Sequence, residues 1–219
     1  MMNLEKPRLI VLDCDGVLFD SLEANRAYYN AILERVGRPP LKEEDLKFVH
    51  MHSVDECLRY LANGDIDLYE QLKEIGRSLP YSQFFSYLKP EPGLYDFLSW
   101  AKERFYVALC TNRTTSTIPL LKHFNLLDFF HLIRTALEYP KHDPRALSTI
   151  LEAFKVKPKE TLYIGDSEVD AKLCQAVGVP LIAYKNKSLP AIHCVNDFWE
   201  LLTFLQQFRV ACTNRIKIL

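Results

Sequence analysis

Three short apolar runs limit the folds open to this chain more than any other feature. They are Leu9-Ile10-Val11-Leu12, Tyr106-Val107-Ala108-Leu109-Cys110 and Thr161-Leu162-Tyr163-Ile164. None shows the polar alternation of a half-solvated strand, and all are rich in branched or aromatic residues. Such strands are buried on both faces, the condition of a parallel sheet covered by helices. Residues 132–135 and 180–184 read as weaker strands. Helical periodicity fills the gaps at 115–124, 144–154, 168–177 and 198–208. The alternation predicts an α/β fold, a parallel sheet with helices on both faces. With 219 residues, 48% of them hydrophobic, the chain can fill such a core.

Residues 21–88 break the alternation. They carry helical periodicity at 22–36, 43–49, 54–63 and 68–78 and no convincing strand. Gly37 and the Pro39-Pro40 pair close the first of these helices. The simplest account is a helical module inserted into the sheet domain, starting near Asp20 and ending near Lys89-Pro90-Glu91-Pro92-Gly93. Segments 1–20 and 89–219 then form one discontinuous domain, with 21–88 as the second. Residues 209–219 lie beyond the sheet pattern, as an extra strand, a helix extension or a packed tail.

The polar residues cluster where the apolar runs stop, and open α/β sheets bind ligands at the carboxyl ends of their strands. Asp13 ends the first run, Asp15 follows two residues on, and Gly16 permits a sharp turn. Two carboxylates held that close repel unless a cation or a shared proton relieves them. Thr111 and Asn112 end the second run, and a hydroxyl, an amide and free backbone N–H groups suit a phosphate. Asp166 and Asp170 flank the start of a helix, where two carboxylates could serve a hard cation. Lys141 lies just before another helix. Each cluster alone has a plainer reading: a solvated Asp-Gly turn, helix caps, or an exposed lysine.

Taken in order, each at a strand end and with the insert after the first, the clusters resemble the haloacid dehalogenase-like hydrolase superfamily. The first motif is matched by Asp13-Cys14-Asp15-Gly16-Val17-Leu18-Phe19-Asp20-Ser21, and the second by Thr111-Asn112. Lys141 matches the third, and Gly165-Asp166-Ser167 with Asp170 the fourth. The insert resembles the small helical cap of the phosphoglycolate phosphatase and β-phosphoglucomutase branch. The resemblance implies a Rossmann-like α/β core with an inserted α-helical cap domain, and a phosphatase acting on a small organic phosphate monoester. Asp13 would be the nucleophile that forms an aspartyl-phosphate, and Asp15 the general acid and then base. Mg²⁺ would be held by the carboxylates of Asp13 and Asp166 and the backbone carbonyl of Asp15, with Asp170 in support. Thr111, Asn112 and the turn at Gly16 would bind the phosphoryl group, and Lys141 would neutralise it. Asp15 favours phosphoryl transfer over dehalogenation, because the dehalogenases lack a carboxylate there.

The chain also departs from the family pattern. Val17 and His142 stand where threonine and proline are common, and the cap loop Val49-His50-Met51-His52-Ser53 carries two histidines. His50 and His52 are either contacts for the non-phosphate end of the substrate or exposed residues of a capping loop. Arg113, just after the second motif, either reaches the phosphate or lies at the surface, and the surface reading is preferred. A phosphomutase would use the same Asp13 and Asp15 and is the alternative; a non-catalytic phospho-ligand-binding protein would have lost one of the motif groups, and none is missing. Phosphonate cleavage would need an activated cap lysine, and neither Lys42 nor Lys47 is marked as one. The net charge of -1 points to no nucleic-acid or membrane partner. The six cysteines are widely spaced, which reads as free thiols in a reducing cytoplasm. The first residues lack the layout of a signal peptide. A monomer or a homodimer is expected.

Overall fold

The computed structural model describes residues 6–208. Six parallel strands form the central sheet: β1 (Leu9–Leu12), β4 (Tyr106–Cys110), β5 (Leu132–Arg134), β6 (Thr161–Gly165), β7 (Leu181–Tyr184) and β8 (His193–Val195). Their order is β5-β4-β1-β6-β7-β8. From β1 the chain builds outward to one edge, then returns to build the other side from β6. The order therefore reverses beside β1, and a crevice opens there at the carboxyl ends of the strands. β1 shows why its sequence lacks alternation. Ile10 and Leu12 pack into one apolar cluster and Leu9 and Val11 into the other, all fully buried. Successive side chains point to opposite faces, and here both faces are dry.

The helices that cover the sheet are α5 (Leu94–Lys102), α6 (Thr117–His123), α7 (Arg145–Phe154), α8 (Glu168–Val177) and α9 (Phe198–Gln206). Sequence periodicity missed α5 and β8. The expected strands and helices otherwise appear with ends shifted by one to a few residues, as fraying ends do. α8 starts at a capping box, in which Ser167 Oγ accepts from the Asp170 N–H, and it stops at Gly178 with φ of 76°.

Between the first two sheet strands lie α1 (Leu22–Arg35), α2 (Glu43–Met51), α3 (Val54–Ala62), α4 (Ile66–Ser78) and a 3-10 turn at Tyr81–Tyr87. A two-residue antiparallel pair joins the start and end of this insert, β2 (Phe19–Asp20) with β3 (Lys89–Pro90). Glu91, 5% exposed, then pins the exit to the sheet by accepting from Tyr184 Oη at 3.2 Å and Lys185 Nζ at 2.5 Å. Among the described residues, no helix is long and apolar enough to cross a membrane. The five cysteines described are free thiols, four of them buried, while Cys212 and the 209–219 tail lie outside the described residues.

Candidate active site

One cavity at the carboxyl ends of β1, β4 and β6 is lined by Asp13, Asp15, Thr111, Asn112, Lys141 and Asp166 from the sheet side. His50 and His52 line it from the insert. Asp170 lies beneath it, fully buried, and Gly16 in the turn beside it.

The local chain explains the placement. Asp13 is the first residue past β1, and its N–H still bonds Ile164 O of β6 at 3.0 Å. The chain then doubles back, with Gly16 N–H bonded to Phe19 O at 2.8 Å. Gly16 has φ of 75°, and a Cβ there would lie 2.0 Å from Asp166 Oδ2. No other residue fits both the turn and that approach.

Lys141 organises the charges. Its Nζ lies 2.6 Å from Asp13 Oδ1 and 2.7 Å from Asp170 Oδ1, with only 3% of its side chain exposed. Burial alone would lower its pKa, but the two carboxylates outweigh burial and hold it well above the usual lysine range. The Lys141 backbone N–H bonds Asn112 Oδ1 at 2.9 Å, so the second motif fixes the position of the third. Asp170 is saturated: Oδ1 accepts from Lys141 and Tyr163 Oη, and Oδ2 from the Ser167 N–H and Oγ. Asp13 Oδ1 accepts the Cys14 N–H at 2.6 Å, while Oδ2 takes no hydrogen bond among the described residues. Asp13 thus lines the cavity with one carboxylate oxygen unbonded among the described residues.

Asp13, Asp166 and Asp170 each offer an oxygen within 4.8 Å of the others. Burial, followed by Asp170, pushes Asp166 up to about 7, and burial with Asp170 and Asp166 pushes Asp13 well up against the pull of Lys141. Three crowded carboxylates with one lysine leave negative charge uncompensated. The donor set is all oxygen, and the Gly16 turn keeps space open at Asp166 Oδ2, so a hard divalent cation fits.

Asp15 is paired with a cation of its own. Arg113 clamps it with Nε to Oδ2 at 2.7 Å and Nη2 to Oδ1 at 2.6 Å. Burial raises the Asp15 pKa, but this ion pair outweighs it and lowers the value overall. Arg113 is 7% exposed, which corrects its reading as a surface residue: its partner lies 98 positions away and left no local signal. Thr111 Oγ1 accepts the Arg113 N–H at 3.1 Å, so its own proton remains available to a ligand.

On the insert side, His52 stacks on Phe48 with centroids 3.9 Å apart, and its Nδ1 bonds Phe48 O at 2.9 Å. A carbonyl only accepts, so Nδ1 carries the proton and Nε2 is free. His50 Nδ1 lies 3.5 Å from Asn25 Nδ2. Asn25, Tyr28, Tyr29, Tyr81 and Ser116 also line the cavity and went unread in the sequence, where each looks like ordinary helix or turn composition.

The comparisons with known proteins agree with this architecture. A family model described as haloacid dehalogenase-like hydrolase matches residues 10–184. The phosphoglycolate phosphatase of Pseudomonas putida is 30% identical over 186 residues, covering 80% of this chain and 68% of that protein. That of Nitrosococcus oceani is 25% identical, covering 82% of this chain and 84% of its own length. Among solved structures, a HAD-superfamily hydrolase of subfamily IA from Geobacter sulfurreducens aligns with a TM-score of 0.74 at 35% identity. It covers 91% of this chain and 96% of its own. A haloacid dehalogenase-like hydrolase from Streptococcus pneumoniae reaches 0.81 at 17% identity over 91% of this chain and 99% of its own, a likeness of fold. The chain therefore belongs to the haloacid dehalogenase-like hydrolase family, in its phosphoglycolate phosphatase-like branch, and is a phosphatase of that family.

Proposed function

We propose that the chain hydrolyses a small organic phosphate monoester, of the phosphoglycolate or sugar phosphate type, through an aspartyl-phosphate on Asp13. The observation that carries this reading is the buried Lys141 bridge between Asp170 and Asp13, the latter at the end of β1 with one oxygen unbonded among the described residues. Asp13 Oδ2 attacks phosphorus while Asp15 passes a proton to the leaving oxygen as the P–O bond breaks. Asp15 then takes a proton from water, which attacks the aspartyl-phosphate and releases inorganic phosphate. The Arg113 clamp favours ionised Asp15, the form that accepts a proton. The nearby negative charge of the substrate favours the protonated form needed first.

Thr111 Oγ and the Asn112 N–H donate to phosphoryl oxygens, and Lys141 cancels charge between phosphate and Asp13. Asp13, Asp166 and the Asp15 backbone carbonyl would hold Mg²⁺, with Asp170 acting through Lys141 and the Ser167 loop. When bound, Mg²⁺ supplies the positive charge that lets a carboxylate meet a phosphate dianion. Residues 21–88 act as a cap domain over the remainder, excluding bulk water and meeting the leaving group through His50 and His52. The free cysteines suit a reducing cytoplasm.

The test is inorganic phosphate release from a panel of phosphate monoesters, with Mg²⁺ and with chelator, for wild type and Asp13→Asn. Metal-dependent release that disappears in a folded Asp13→Asn is expected. Release that survives the substitution would remove the covalent mechanism.

A further inference from the structure

Arg113 is a buried cation that touches the proposed reaction only through Asp15. Its two bonds to Asp15 run from adjacent guanidinium nitrogens to the two carboxylate oxygens. A fork of this kind fixes the plane of a carboxylate, where a lysine would fix only a distance. Burying so polar a pair is costly, and a plain structural contact at this position needs no charge.

The fork also continues into the insert. Arg113 Nη2 donates to Tyr81 Oη at 3.1 Å, and the guanidinium carbon lies 4.4 Å from the centre of the Tyr81 ring. Tyr81 Oη donates in turn to Asn25 Oδ1 at 2.7 Å, and Asn25 Nδ2 lies 3.5 Å from His50 Nδ1. Burial pushes the Tyr81 phenol up to about 12, so it remains an O–H throughout. Asn25 sits on α1, His50 on α2 and Tyr81 in the turn that leaves the insert. One bonded path thus connects the Asp15 carboxylate to three separate parts of the insert.

We propose that Arg113 is a positioning residue that aims the Asp15 carboxylate at the leaving oxygen, and that Tyr81 makes this aim depend on the seating of the insert. Displacing the insert would strip Arg113 of both the hydroxyl and the ring of Tyr81, leaving the fork steadied on its far side by the long 3.5 Å contact of Nη1 to Ser116 Oγ. The inference rests on the reading of Asp15 as the proton donor, and the experiment separates the two.

Steady-state kinetics are compared on an alkyl phosphate, whose alkoxide needs a proton to leave, and on p-nitrophenyl phosphate, whose phenolate leaves without one. The enzymes are wild type, Asp15→Asn, Arg113→Met, Arg113→Lys and Tyr81→Phe, all with Mg²⁺. Arg113→Met is expected to lower kcat/KM, which reports the transfer to Asp13 and not the later hydrolysis, by about 10²-fold on the alkyl ester, the lower end for general acid catalysis, and far less on the nitrophenyl ester. Arg113→Lys restores only part of the loss. Tyr81→Phe, which keeps the ring, shows the same bias at roughly 3- to 10-fold, the worth of one hydrogen bond. It carries the test if the Arg113 variants fail to fold.

Equal losses in kcat/KM on both esters would overturn the inference, because general weakening of the structure does not sense the leaving group. A raised KM with unchanged kcat on both esters would overturn it too, by making Arg113 a substrate contact. If Asp15→Asn is itself indifferent to the leaving group, the donor role of Asp15 fails and the inference with it. If Asp15→Asn is biased and the other variants are not, the inference alone fails.

Discussion

On the sheet side of the cavity, charge meets charge at short range: Lys141 lies 2.6 Å from Asp13 and 2.7 Å from Asp170, all three buried. On the insert side the cavity is bounded by rings and amides, with His52 stacked on Phe48 and His50 3.5 Å from Asn25. The sheet side hangs from strand ends locked in register by backbone ladders, so its carboxylates cannot drift. The insert side is joined to the rest of the chain by the two-residue β2–β3 pair and, at the cavity, by side-chain packing and hydrogen bonds such as Arg113 to Tyr81. Fixed charge suits the phosphoryl group common to all candidate substrates, and the wall of rings and amides suits whatever that group is attached to.

The sharpest way to break this comparison is Lys141→Met, which keeps the stem and removes the cation. Phosphate release should fall by about 10²–10³-fold, as for a lost preorganised donor, and by a similar factor for every ester tested. A loss confined to some esters would mean that the sheet side also selects substrates.

A smaller effect comes from pH. The Asp166 value of about 7 lies above that of an ordinary carboxylate, chiefly through burial and then Asp170. Below pH 7 the metal-free fold therefore carries a proton on Asp166 that Mg²⁺ must displace. Calorimetric titration should show Mg²⁺ binding about tenfold weaker at pH 6 than at pH 8. By the same sign, Asp166 costs the metal-free protein stability as pH rises from the ordinary carboxylate range through 7, and Mg²⁺ restores it. Melting curves at pH 5 and pH 8, with and without Mg²⁺, check this; pH-independent Mg²⁺ affinity would remove Asp166 from the ligand set.

His50→Ala should have the smallest effect. It deletes one long contact to Asn25 and one wall of the cavity, so KM for the preferred ester should rise roughly 3- to 10-fold. Release from p-nitrophenyl phosphate should change less, and an equal fall in kcat on all esters would place His50 with the chemistry instead.

Much of the sheet side was legible because its signals are local. Asp13, Thr111 and Asp166 each follow an apolar run within one or two residues, and parallel strands bring such ends to one edge. The insert side was less legible. The β2–β3 pair is two residues long and spans a gap of about seventy, so neither half stands out as a strand. β8 is a three-residue edge strand whose first residue, His193, is exposed, and it resembles a loop. Nothing in Tyr81 or Asn25 as residue types distinguishes them from their neighbours.

By itself the sequence determined the layers, the order of strand-end clusters and the chemical types offered at each, because apolar period and turn residues act over a few positions. Only the tertiary structure decided which charges meet. Asp13 and Lys141 are paired across the sheet, and Arg113 reaches Asp15 from 98 residues away before meeting Tyr81. Electrostatic pairing falls off with distance through space and takes no account of distance along the chain. Partners of this kind become visible only once packing has brought the elements together.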